Sequence, residues 1–557
     1  MYILKIIESF IKNYKFIIFL YILFTLLAFP LEAIVIPQIY SHFFSILNNK
    51  TKKEIFFKYF IVILFVFIII YVAGFLTSWS ENLIIPELNK YIITYIFKNI
   101  LKKYNNNYED IELGKLITKL TTIPQYLKEF ASDVLIWVFP RLLAILIINI
   151  YFLVLNWKLG LLSILTLIIL TLVYLYFCKK CSKLSNERHT LFELNNQYTQ
   201  DKLSNLNTIY STGNLENEIL NYDKYIGSYT TKFKDNLSCL NYSELSINII
   251  IILIFILLNG FSAYLFLKKE LSFTNLLAIF ITIIYYLPCI DMVKKALPNM
   301  MHYYGALSSY DSFLEDLNNV NNFDDKKNKN ININYGNINI NNLIFGYDEN
   351  ILFRNFNLNI KHKEKIAIMG KSGNGKSTLI KLITGYYKIS NNMIYIDNID
   401  INNYNLNDLR KQISYVTQNN KLFNMTILEN IQYGNNISRN EIITLCKNIN
   451  IDNIFKNLKN GYDTNVGIEG NNLSGGQRQI IHIIREIFQK NKIVILDEPT
   501  SAIDKENTVN IINAILELSK NSTLILITHD DELLKHVDRI VTIDSGKIIS
   551  EKNNYIS

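Results

Sequence analysis

Gly370-Lys371-Ser372-Gly373-Asn374-Gly375-Lys376-Ser377-Thr378 decides how the C-terminal half of this chain is read. It fills every fixed position of the phosphate-binding pattern G-x-x-x-x-G-K-[ST]. Its flanks agree with that reading. Lys365–Met369 reads as a buried strand and Thr378–Ile383 as the start of a helix, so the glycines allow a tight loop whose N–H groups face phosphate oxygens. Lys376 can then reach the β- and γ-phosphates of a nucleotide, and Ser377 can ligate Mg²⁺. Alone, the motif names an NTPase and nothing finer.

Two further stretches narrow the chemistry. Ile493-Val494-Ile495-Leu496-Asp497-Glu498 is an apolar strand that ends in two carboxylates. Asp497 is placed to hold Mg²⁺ through water, and Glu498, one residue on, can polarise an attacking water as general base. Leu473-Ser474-Gly475-Gly476-Gln477-Arg478-Gln479 precedes the helical run Ile480–Phe488, and two glycines at a helix start leave N–H groups free for an anion.

Upstream, the chain changes character. It is 50% hydrophobic and 19% charged, with mean hydropathy +0.16, whereas soluble domains carry about 25% charged residues. A spanning helix needs about 20 mostly apolar residues. Six stretches satisfy this: 16–36, interrupted by Pro30 and Glu32, then 57–79, 134–156, 159–178, 247–267 and 271–287. The first is too long, and lacks the small-residue cleavage site, for a signal peptide. Two long amphiphilic stretches, Ser80–Asp133 and Lys179–Ser246, read as helical extensions beyond a hydrocarbon layer of about 30 Å. Composition shifts to Asn, Asp and Lys around Asn318–Tyr335, as in a linker. The expected organisation is a membrane domain over 1–317, a linker over 318–334 and an α/β domain over 335–557.

The heptad at 473–479 resembles the signature of ABC ATPases, and nearly the whole chain is similar to a half-size ABC exporter. The expected fold class is therefore an α-helical six-span transmembrane domain plus an α/β P-loop NTPase domain. The resemblance implies a role for each matching residue. Tyr347, in Phe345-Gly346-Tyr347, would stack on adenine. Gln418 would act as the Q-loop glutamine that senses Mg²⁺ and meets the membrane domain, and Asp504, in Ser501-Ala502-Ile503-Asp504, would belong to the D-loop. His529, just past the apolar strand Leu524–Ile527, would contact the γ-phosphate. The resemblance also implies composite sites for ATP and Mg²⁺, with one chain supplying the P-loop, Asp497 and Glu498 and a second half-transporter supplying Ser474, Gly475, Gly476 and Gln477. This chain retains both halves of the site, so a homodimer is expected, with a heterodimer as the other arrangement. Gly114–Leu120 and Asn156-Trp157-Lys158-Leu159 also resemble family segments, whereas Ile468 and Glu469, in loop 464–470, replace the family's Glu-Arg pair.

These readings imply an ATP-driven exporter or a flippase for lipids or amphiphiles, in contact with membrane lipid. The rival on the same scaffold is an ATP-gated channel or regulator, which could dispense with Glu498 and His529. Six spans exclude a soluble ABC ATPase. An ATP-using domain after the sixth span requires the cytosol, and parity puts the N-terminus there too; Asn49-Lys50-Thr51 then falls outside as a glycosylation pattern. The net charge of +8 comes without a nucleic-acid recognition motif and fits Lys-rich membrane loops. Five cysteines are too few and too scattered for a disulfide scaffold, and Cys178 and Cys181 read as two thiols at a helix end. Glu32, Arg141 and Asp291 lie within or beside apolar spans, where a charge is costly unless paired or wet. They read either as a polar cavity wall or as helix-to-helix pairs. No pattern in the chain names the cargo.

Overall fold

The computed structural model describes residues 2–47, 53–105, 113–318, 331–347, 350–417, 421–500 and 505–554. The glycosylation pattern at 49–51, Gln418 and Asp504 lie outside the described residues. Contacts divide the chain into two units, Met1–Lys103 with Asp110–Val320, and Tyr104–Glu109 with Asn321–Ser557.

Among its described residues, the first unit is built of helices and no strands. Its helices are α1 (Tyr2–Asn13), α2 (Lys15–Pro30), α3 (Ile36–Leu47), α4 (Lys53–Lys103), α5 (Leu113–Ser132), α6 (Phe139–Leu155), α7 (Trp157–Ser204), α8 (Leu206–Ser211), α9 (Leu215–Leu267), α10 (Phe273–Ser309) and α11 (Asp311–Asn318). Among the described residues, six helical segments are long and apolar enough to cross a membrane: Lys15–Phe44, Phe57–Lys103, Leu116–Leu155, Trp157–Ser204, Leu215–Leu267 and Phe273–Ser309. The apolar spans run on into the amphiphilic stretches, to Lys103 in α4 and Ser204 in α7, and α9, at 53 residues, extends roughly 80 Å.

Proline and polar residues punctuate these helices in ways physics explains. Pro30 lacks the N–H that an α-helical ladder needs, and a π-helical turn, Leu31–Val35, joins α2 to α3 there. Another, Asp133–Val138, leads into α6 just before Pro140. The turn between α6 and α7 is capped by Asn156, whose side chain accepts from the Lys158 and Leu159 amides. Lys158 also meets Glu270 at 2.8 Å, so the α6–α7 and α9–α10 turns lie at the same end of the unit. Ile148, Phe152, Leu258, Ile279, Ile283 and Tyr286 form the centre of the core. Large side chains such as Phe60, Phe65, Phe75 and Ile252 face outward, as a lipid-facing surface requires.

One expectation about the cysteines is corrected here. Cys181 is not a free thiol at a helix end but is disulfide-bonded to Cys239 of α9, while Cys178 remains free. The 58-residue separation hides this pairing, because only the antiparallel packing of α7 and α9 brings the two together.

The second unit is built on two sheets. The smaller has the order β2-β1-β4-β5, from β1 (Ile338–Tyr347), β2 (Asn350–Ile360), β4 (Ile394–Ile396) and β5 (Ile399–Asp400). The larger has the order β10-β9-β3-β8-β7-β6, from β3 (Lys365–Met369), β6 (Ile413–Val416), β7 (Ile493–Asp497), β8 (Thr523–Ile527), β9 (Arg539–Asp544) and β10 (Lys547–Asn553). Strands β6, β7, β8, β3 and β9 run parallel. β7 and β8 are buried along their whole length, which accounts for their continuous apolar runs. Helices α12 (Lys376–Ile383), α13 (Leu406–Lys411), α14 (Ile427–Gln432), α15 (Arg439–Asn448), α16 (Asp452–Lys456), α17 (Gly475–Ile487), α18 (Lys505–Ser519) and α19 (Asp531–Leu534) complete the unit.

Candidate functional site

Three neighbouring parallel strands, β3, β8 and β7, end side by side, and each end carries a residue singled out by sequence. In an open α/β sheet the carboxyl edge of the strands is where ligands bind. β3 leads into the loop 370–375, β7 ends at Asp497, and His529 lies two residues past β8.

The loop owes its path to Gly370. Its φ is +149°, and an added Cβ would lie 2.2 Å from the Ile543 carbonyl oxygen. Gly370→Ala should therefore cost roughly 1–3 kcal/mol from backbone strain alone, with the clash in addition. Thermal unfolding of the purified variant measures this, and an unchanged midpoint would contradict it.

Inside the loop, the buried Lys376 ammonium donates to the carbonyls of Gly370 (2.6 Å) and Lys371 (3.0 Å). Ser377, at the start of α12, donates its hydroxyl to Asp497 Oδ2 at 2.9 Å. Burial pushes the Asp497 carboxyl above the usual carboxylate range, with the Ser377 hydrogen bond opposing and the neighbouring Glu498 adding to the rise. Glu498 has φ +49°, and its amide donates to the Ile527 carbonyl at 2.8 Å. This bond extends the β7–β8 ladder by one residue and fixes Glu498 beside the strand that leads to His529. His529 is exposed, and its neighbours Thr528 and Asp530 are tied by a hydrogen bond from the Asp530 amide to the Thr528 hydroxyl at 3.0 Å.

Tyr347, at the end of β1, reaches the same loop: its hydroxyl lies 3.0 Å from that of Thr378. Its ring packs edge-on against Phe345 and Tyr387 and is 42% exposed, so the aromatic is not consumed by the core. The structure thus brings Tyr347, the loop, Asp497 and Glu498 together around one sheet edge.

Ser474–Gln477 opens α17, which packs on the face of the larger sheet opposite α12. Ser474 caps α17, accepting from the Gln477 amide (3.2 Å), while Gln477 Oε1 accepts from the Ser474 amide (3.0 Å). Arg478 folds back onto the Leu473 and Gly470 carbonyls. Leu473, Ile480, Ile481, Ile483 and Ile484 pack in one hydrophobic core, whereas Ile366, Ile368, Leu379 and Ile380, which flank the loop, pack in the other. In loop 464–470, Glu469 pairs with Lys421 at 2.7 Å.

Sequence reading missed how the loop is anchored. Asn374 donates to Asp544 Oδ1 (2.8 Å) and to the Ile543 carbonyl (3.2 Å) at the end of β9. Asp544 lies 170 positions away, and no local pattern marks it.

Comparison with known proteins now places the chain. A family model for the ABC transporter transmembrane region matches residues 15–287, and a second, described as ABC transporter, matches residues 353–501. The chain belongs to the ABC transporter family. It resembles putative multidrug export ATP-binding/permease proteins of Staphylococcus aureus strains COL and MW2, each 29% identical over 97% of this chain and 95% of the relative. Its fold matches that of a bacterial Atm1-family ABC exporter with ATP bound, with TM-score 0.85 and 19% identity, over 97% of this chain and 96% of that one. This ABC chain is a half-size exporter: one six-helix membrane region and one ATPase domain, with ATP hydrolysis coupled to transport.

Proposed function

We propose that this half-transporter works as a homodimer that exports amphiphilic molecules, with two ATP sites at the interface of its ATPase domains. The shared edge of β3, β7 and β8 carries this reading, because it gathers the loop, Asp497 and Glu498, while Ser474–Gln477 opens α17, which packs on the opposite face of the same sheet. One chain would therefore grip the triphosphate and its partner would close the site.

In this assignment residues 370–378 wrap the phosphates, with Lys376 turning from the loop carbonyls to the β- and γ-phosphates. Tyr347 stacks on the adenine. Ser377 and Asp497 offer a hydroxyl and a carboxylate oxygen 2.9 Å apart, the donor chemistry that Mg²⁺ prefers. With Gln418 they would hold the ion, which when bound neutralises charge on the β- and γ-phosphates. Glu498 takes a proton from the attacking water, and His529 contacts the γ-phosphate. Ser474, Gly475, Gly476 and Gln477 present the amides of the α17 N-terminus to the nucleotide held by the partner. Asp504 contributes from the D-loop. ATP binds the closed dimer more strongly than the open one and so shifts the population toward it; hydrolysis removes the γ-phosphate contacts and lets the ATPase domains part. The N-terminus and ATPase domain face the cytosol on this reading.

The cargo class rests on the membrane unit and on the relatives' names as multidrug exporters. Glu32 accepts from the Tyr285 hydroxyl at 3.2 Å, and Arg141 donates to the Ile136 carbonyl at 2.6 Å with its guanidinium over Phe29 and Trp137. Asp291 is paired with Lys294 (2.6 Å) and Lys295 (2.8 Å) on its own helix. Vesicle transport with a panel of labelled amphiphiles, read beside substrate-stimulated ATPase, tests the proposal, and transport of none of them would refute the cargo class. Glu32→Gln and Arg141→Gln should change substrate-stimulated ATPase several-fold while leaving basal ATPase near wild type. Asp291→Asn should instead lower thermal stability, because it leaves the largely buried Lys294 with less compensation.

A further inference from the structure

The Cys181–Cys239 bond joins α7 to α9 with Cα atoms 5.7 Å apart. Its position along the helices gives it meaning. Cys181 lies 24 residues beyond Trp157, about 36 Å along α7, which exceeds a hydrocarbon layer of about 30 Å. Lys179 and Lys180 beside it are exposed, so the helix has left the apolar layer here. On the reading above, that water is cytosol, where small thiols keep cysteines reduced. A bond in such a place faces a reducing pool of thiols.

Its surroundings couple it to more than two helices. The Asn236 side chain of α9 donates to the Cys181 carbonyl at 3.1 Å. One turn further along α7, α10 closes in: a Cβ on Gly305 would lie 2.7 Å from the Ser182 carbonyl oxygen, and Ser185 Oγ lies 3.1 Å from His302 Nδ1. Met301 of α10 shares one buried cluster with the two cysteines. A cavity of about 140 Å³ lies beside Cys239, lined by its neighbour Leu240 together with Ser243, Glu244, Lys294, Lys295 and Met301. Neither cysteine lines it, but Met301, which does, belongs to the same buried cluster as both.

We propose that Cys181 and Cys239 form a thiol–disulfide exchange site whose co-substrate is a low-molecular-weight thiol, and whose state clamps or frees α7 against α9. This rests on the cytosolic placement proposed above. A thiolate RS⁻ attacks Cys239 Sγ, on the more exposed of the two residues. The S–S bond breaks, its electron pair leaves on Cys181 Sγ, and that sulfur takes a proton. A second RS⁻ attacks the R-bearing sulfur of the mixed disulfide, forming RS–SR and releasing Cys239, which is protonated in turn. Two RSH are oxidised and one protein disulfide is reduced to two thiols. With the bond closed, α7 and α9 are tied covalently; with it open, the Asn236 hydrogen bond, the Lys232–Glu187 and Lys202–Glu218 ion pairs and packing still hold them, but the two helices can slide locally at Cys181 and Cys239.

The test uses the full chain in lipid nanodiscs equilibrated in glutathione buffers of graded reduced-to-oxidised ratio, then acid-quenched, denatured and labelled with a maleimide-polyethylene glycol. Labelling should be reversible between three thiols, Cys178, Cys289 and Cys446, and all five cysteines. Substrate-stimulated ATPase should differ several-fold between the two states of the wild type, and should not respond to the buffer in Cys181→Ser or Cys239→Ser. Cys178→Ala should keep the response. Because the wild type serves as its own control through reduction and reoxidation, an unstable variant does not blunt the test. Five labelled thiols at every ratio would overturn the proposal, and so would a three-to-five transition without a change in ATPase. The thiol count needs neither ATP nor cargo, so failure of the export reading would show separately.

Discussion

Replacing Glu498 with Gln should lower ATP turnover about 10²–10⁴-fold, the usual contribution of a positioned general base, while ATP still binds. Gln keeps the shape and the backbone position fixed by the bond to Ile527 but cannot take a proton from water. The variant should accumulate ATP-bound, closed dimer, measurable as retained radiolabelled nucleotide after rapid gel filtration. Hydrolysis at a rate near wild type would remove Glu498 from the role of base.

The second large effect concerns assembly. Lys376→Ala removes the ammonium that lies inside the phosphate loop and should abolish ATP occlusion when present in both chains. Ser474→Arg should do the same by blocking the partner-facing surface of α17; it also removes a helix cap worth about 1 kcal/mol, so its folding is checked by thermal unfolding. Mixing the two chains separates the possible arrangements. One site of the mixed dimer carries both defects and the other carries neither, so a composite-site homodimer recovers about one occluded ATP per mixed dimer, as counting the defects in each site requires. Occlusion is the readout because continuous turnover can need both sites. A dimeric preparation in which mixing restores nothing would sink the homodimer and favour a different half-transporter as partner.

The features legible in the sequence were local ones. The loop at 370–378 and the carboxylates at 497–498 are contiguous, and buried parallel strands write themselves as unbroken apolar runs such as Ile493–Leu496. The six apolar helices were legible for the same reason: a bilayer asks for composition over one stretch of chain. What escaped was distant in sequence. Asn374 is anchored by Asp544, and Cys181 by Cys239, across 170 and 58 positions that only the folded topology brings together. The π-helical turns beside Pro30 and Pro140 escaped for another reason, since proline announces a disturbed ladder without saying how the backbone will repair it.

The left-handed backbone of Glu498 carries a consequence for how such a protein can change over time. A side chain at φ +49° sits on the order of 1 kcal/mol above a relaxed backbone, a cost that glycine would remove. Glu498→Gly should therefore fold more tightly than wild type while hydrolysing almost nothing. Thermodynamic stability and activity pull this position in opposite directions. Selection for a sturdier fold alone would drift toward an idle enzyme, and only selection for turnover keeps a glutamate there.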